Sequence, residues 1–87
     1  MTDQWAIKLS IERDEALVLF EFLAREIDDA DGVRLKPLAD DDSELWALNA
    51  VHCLLERALP EPFLTDYDAI LSRAKKTVLK RSGPWPT

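Results

Sequence analysis

Residues 14–26 read DEALVLFEFLARE. Within and just beyond this stretch, Ala16, Leu19, Phe20, Leu23 and Ile27 recur at the i, i+3, i+4, i+7, i+11 spacing of one helical face, the pattern of an amphipathic helix with a buried stripe. The segment therefore sets the fold class. Its start is placed between Ser10 and Arg13, with Ser10 as N-cap and Glu12, Asp14 and Glu15 at the positive end of the helix dipole. Its end is placed near Ile27, ahead of Asp28-Asp29-Ala30-Asp31-Gly32, where Gly32 is free to take a positive φ. Glu21 and Arg25 stand i, i+4 apart on the wet side. One feature does not fit a simple amphipath. Val18 and Phe22 project well away from the buried stripe, on the side that should face water, with Glu15 and Glu26 beside them.

The next helix repeats this duplication. Asp41-Asp42-Ser43-Glu44 fits a capping box, with Asp41 as cap and Glu44 at N3, and Pro60 and Pro62 close the helix. Leu48, Val51, Leu55, Ala58 and Leu59 form its expected core stripe. Trp46, Ala50 and Cys53 form an i, i+4, i+7 strip nearly opposite. A third helix starts at Thr65 or Asp66, buries Tyr67, Ile70, Leu71, Ala74 and Val78, and turns Arg73, Lys76 and Lys80 to solvent. Residues 4–9, QWAIKL, alternate with period 2, as a short strand or an extended arm does; a strand would find its partner in Val33–Leu35. The expected fold is all-α: a small three-helix bundle over residues 1–82 with a short extended N-terminal segment, minor β pairing at most, and a tail over 83–87.

Composition agrees with one small domain. The chain has 87 residues, 47% of them apolar and 32% charged, which is globular rather than disordered. A chain of this size buries only roughly 60–65% of its unfolded surface, so the core is thin. Cys53 is the only cysteine, so no internal disulfide forms, as is usual in a reducing compartment. The start MTDQWAIKLS has neither a basic n-region nor a long apolar run, and no stretch approaches the ~18–20 apolar residues of a membrane span. These features predict a cytoplasmic protein.

Charge is divided sharply along the chain. Residues 1–68 hold all seventeen acids against six Lys or Arg, a net of −11, while residues 69–87 hold five Lys or Arg and no acid. An acidic body repels nucleic acid and attracts basic partners, so a protein partner of basic character is expected.

Motifs that would carry chemistry fail on inspection. Asp29, Asp31 and Gly32 match positions 3, 5 and 6 of an EF-hand loop, but Ile27 and Leu38 occupy the ligand positions 1 and 12. His52 and Cys53, each the only residue of its type, do not make a zinc set. Ser72 and Lys75 have S-x-x-K spacing without the companion motifs of the enzymes that use it. His52 and Glu56 are an i, i+4 pair without a nucleophile. The expectation is a protein without catalytic residues, metal or cofactor.

Two resemblances bear on function. Asp42-Ser43 ahead of a mid-chain helix resembles an acyl carrier protein, over roughly residues 40–75. That resemblance implies phosphopantetheine on Ser43. Here Glu44 stands where a leucine should follow the serine, Lys36-Pro37-Leu38-Ala39 lacks the glycine lead-in, and the third helix is basic. Taken whole, LSIERDEALVLFEFLARE followed by ELWALNAVHCLLERALPEPFLTDYDAIL and a basic helix resembles a group of short, acidic, helical bacterial proteins, over about residues 8–79. That resemblance implies a protein of immunity or antitoxin character and brings no catalytic residues with it.

The second apolar strips have two readings. Trp5, Ile7, Leu9, Phe63 or the Trp85 tail cover them, with the second helix central; or they are open and bind a partner or a second copy of the chain. The candidate contact surface is Val18, Phe22, Trp46, Ala50 and Cys53, rimmed by Glu15 and Glu26, with Phe22 and Trp46 as anchors. The function expected is an inhibitor that occludes a basic protein; a carrier protein and a homodimeric adaptor are the alternatives.

Overall fold

The structure is a computed structural model that describes residues 5–86. Residues 1–3, Gln4 of the anticipated strand and Thr87 of the tail lie outside the described residues. Three helices carry the fold: α1 (Arg13–Leu23), α2 (Asp42–Ala58) and α3 (Tyr67–Ser82). α1 continues without a break as a π-helical turn, Ala24–Asp29, and short 3-10 turns, Lys36–Leu38 and Glu61–Phe63, precede α2 and α3. The all-α bundle is as the periodicity requires.

The helix ends follow local chemistry. α1 is capped by Glu12 rather than Ser10, and the Glu15 carboxylate accepts the Glu12 backbone N–H at 3.0 Å. Ser10 lies two residues outside, exposed. Asp41 caps α2 by accepting the Ser43 N–H at 2.8 Å and the Ser43 hydroxyl, which holds the Asp41 carboxyl below its ordinary range. Glu44 reaches back one residue further than a strict capping box, to the Asp40 N–H at 3.3 Å. α3 starts after Asp66 and ends at Gly83, whose φ is 80°.

The central element is α1, not the second helix. It packs against both α3 and α2, which pack little on one another. A helix flanked on two sides buries a wide arc. Hence Leu17, one step outside the expected stripe, is buried with Ala16, Phe20 and Leu23, while Leu19 and Ile27 are half-buried. On α2 the buried residues are His52 and, just past its end, Leu59. Val51 and Ala58, expected in the core, are exposed. His52 stacks on Phe20 with ring centroids 5.2 Å apart and planes at 21°. On α3, Leu71 and Ala74 are buried and Tyr67, Ile70 and Val78 half-buried, as the spacing predicts.

Ion pairs tie the ends of the bundle together. Arg81 in the last turn of α3 forks onto Asp14 at 2.8 and 3.0 Å, and hydrogen bonding from that guanidinium holds the Asp14 carboxyl below its ordinary range. Arg13 bonds Glu61 at 2.6 Å. Glu21 does not pair with Arg25; it accepts the Tyr67 hydroxyl at 3.0 Å, and burial, with that carboxylate, raises the Tyr67 pKa.

The N-terminal strand does not form. No strand occurs among the described residues. The proposed partner, Val33–Leu35, is a turn whose amides are already used: Val33 N–H bonds the Ala30 carbonyl at 3.0 Å and Leu35 N–H the Gly32 carbonyl at 3.1 Å. Residues 6–11 hold no regular secondary structure, and Trp5, Ile7, Leu9 and Ile11 are exposed. No described helix is long and apolar enough to cross a membrane.

Candidate functional site

The site begins with the end of α1. Past Leu23 the chain widens into the π turn, where the Ala30 N–H reaches the Arg25 carbonyl at 3.1 Å and the Gly32 N–H the Glu26 carbonyl at 2.7 Å. A π turn advances each residue through a smaller angle than an α turn, so residues beyond Ala24 rotate out of the register that the α period assigns. Glu26, expected on the wet rim beside Phe22, is instead buried, 7% exposed. It stays charged because two arginines reach it. Arg34 donates through Nε and a terminal nitrogen at 2.8 Å each, and Arg25 through Nε at 3.1 Å. Those bonds, Arg34's foremost, pull the Glu26 carboxyl below its ordinary range.

The chain then reverses. Asp31 and Gly32 both take left-handed backbone angles, φ 54° and 68°, a conformation that Asp tolerates and Gly adopts freely. A Cβ on Gly32 would lie 3.6 Å from the Leu45 side chain of α2, so the turn sits directly against that helix. Between them lies an open cleft of about 310 Å³. Ile27 and Leu45 are its apolar lining, Trp46 is its most prominent aromatic, and Asp31, Asp42, Lys36 and Asn49 supply the polar groups. Lys36 Nζ bonds Asp42 at 3.2 Å, so that cation is matched, while Asp28, Asp29, Asp40 and Glu44 stand exposed on the segments that form the walls.

Trp46 is 71% exposed. Indoles are enriched among the residues that anchor protein contacts, because they join a large apolar surface to a hydrogen-bond donor. Phe22 is 39% exposed, with the Arg25 guanidinium 5.3 Å from its ring centroid. Val18 is half-buried and packs on the core cluster; its place in the wet strip is corrected, because the bundle wraps α1 on that side. Cys53 is half-buried and Ala50 exposed. Glu15 is half-buried, engaged with the Glu12 amide and 3.5 Å from Arg81. The structure therefore does not join the anticipated residues into one patch. It places Trp46 alone of them in the cleft, and Glu26 off the rim altogether. None of Trp5, Ile7, Leu9, Phe63 or Trp85 covers these strips closely enough to be buried itself, all being at least 75% exposed.

Of the cleft lining, the helical period picks out Trp46 and Ile27, the latter as a core position; the other six residues belong to no strip read from it. Two local signals marked its walls, the Gly32 turn and the Asp41 capping box, but neither said that they face each other. Ser43 is exposed, its hydroxyl bonded to Asp41. The chain matches no known family profile, no curated protein and no solved structure.

Proposed function

We propose that this protein works by contact with another protein and that the cleft beside Trp46 is the contact point. The partner is basic and the action is inhibition by occlusion, in the manner of an immunity protein or antitoxin. Carboxylates on the cleft walls steer the approach, and Trp46 with the apolar lining holds the complex. The observation that carries this reading is Trp46 itself, the exposed aromatic of a cleft that joins Ile27 and Leu45 to Asp31 and Asp42. The resemblance to short acidic bacterial proteins supports the same class of action.

The test is affinity capture from the native host with the parent chain and a Trp46→Ala chain as parallel baits. A basic protein retained by the parent and lost from the variant supports the reading. A partner retained equally by both places the contact elsewhere.

A further inference from the structure

The molecule exposes more surface than a chain of its mass needs. Its accessible area is 7054 Å², against roughly 5,200 Å² for a compact monomer of 9.9 kDa. Its radius of gyration is 14.5 Å, against about 12 Å for a compact domain of this length. Exposed apolar side chains at the chain ends, Trp5, Ile7, Leu9 and Trp85, share in that excess, and so do Trp46 and Leu79 on the two surfaces considered next.

Two of the exposed surfaces complement each other. One is the Trp46 cleft with its acidic walls. The other is the outer face of α3, where Arg73, Lys76 and Lys80 share a side and Leu79, 59% exposed, borders it next to Lys76. Among the described residues, none of these three cations forms an ion pair. Among the described residues, the α3 cation that does is Arg81. No α3 residue lines the cleft, so a chain does not satisfy its own acidic cleft with its own basic helix.

We infer that the cleft takes the basic face of α3 from a second copy of this chain, and that the contact is reciprocal. Each copy offers one cleft and one helix; with the two copies related by a two-fold axis the same contact is made twice and the pair closes, whereas a head-to-tail contact extends past two chains, which the mass series distinguishes. Leu79 lies over the Trp46 indole and apolar lining, and Lys76 and Lys80 face the wall carboxylates, where rim charges set register and encounter rate. The inference rests on the cleft being a protein-binding surface. It adds that the free protein stores that surface in a dimer, which the foreign partner must open.

Mass measurement by light scattering over a concentration series tests it. The parent should approach twice 9.9 kDa as concentration rises, and the dimer should weaken at about 1 M salt, where charges are screened beyond roughly 3 Å. Trp46→Ala, and separately Lys76→Glu with Lys80→Glu, should each weaken self-association by at least about tenfold. Mixed together, these two variants retain one intact contact, the helix of the first in the cleft of the second. A tagged copy of one should therefore capture the other better than either captures itself. A parent that stays at the mass of one chain overturns the inference, as do variants that dimerise like the parent or a mixture that gains nothing. If the parent is monomeric yet Trp46→Ala loses the captured foreign partner, the dimer falls and the binding cleft stands.

Discussion

Arg34 grips Glu26 through two hydrogen bonds of 2.8 Å each, and this fork fastens the turn after α1 back onto its π-helical end. The pair fixes one wall of the Trp46 cleft. A bidentate guanidinium–carboxylate pair is directional as well as charged, and removing the guanidinium leaves the Glu26 carboxylate, the buried partner, less compensated.

The first prediction follows from that carboxylate. Glu26 titrates below its ordinary 4.5 in the folded chain, so it contributes stability that is present above about pH 4.5 and is lost as pH falls through the lower folded value. Asp14 and Asp41 are shifted in the same direction. Melting temperature should fall steeply from pH 5 to pH 3. Glu26→Gln should melt lower than the parent at neutral pH and show a shallower acid limb. A Glu26→Gln curve parallel to the parent's would remove the pair from the account.

The second concerns His52. It is 5% exposed, stacks on Phe20, and its Nδ1 is buried without a hydrogen-bond partner among the described residues. A buried unpaired polar atom costs about 1–3 kcal/mol. His52→Phe keeps the stacked ring and removes that atom, so it should stabilise by about 1 kcal/mol and raise the melting temperature by roughly 4–8 °C. His52→Ala opens a cavity and should destabilise by about 2–4 kcal/mol.

The third separates core from surface. Leu23 is fully buried, and Leu23→Ala should cost about 2–5 kcal/mol. Trp46→Ala should change stability by no more than about 0.5 kcal/mol, since the indole is largely in water. Chemical denaturation of the two variants checks both figures.

The fourth addresses Ser43. Its hydroxyl belongs to the Asp41 cap, and the proposed role is binding rather than carrying. Incubation with coenzyme A and a broad-specificity phosphopantetheinyl transferase should leave the mass unchanged. Stoichiometric labelling lost in Ser43→Ala would make the chain a carrier protein.

Much of the fold is written in short-range signals. The Asp41 cap, the Gly32 turn, the Pro60 stop and the α3 stripe each depend on chemistry within a few residues, and each is where the sequence places it. The misplacements come from long-range facts. Leu17 is buried because α1 has neighbours on two sides, which its own period does not reveal. His52 displaces Val51 from the core because Phe20 offers it a ring to stack on. Glu26 turns inward because the π turn breaks the 100° rule after Leu23. The period-2 pattern at 5–9 comes with no strand, because pairing needs free amides and Val33 and Leu35 spend theirs within their own turn. Of the candidate surface, Trp46 was legible as an exposed aromatic; the cleft it borders depended on Gly32 lying against Leu45.

The central claim is that the cleft beside Trp46 binds protein, and the most direct test is one affinity measured twice. The partner recovered by capture is titrated by calorimetry against the parent and against Trp46→Ala, with a melting curve for each. The account predicts an unchanged melting temperature and a loss of about 2–4 kcal/mol in binding, the size of a hot-spot truncation. Equal affinity for the two chains, with both fully folded, would contradict it.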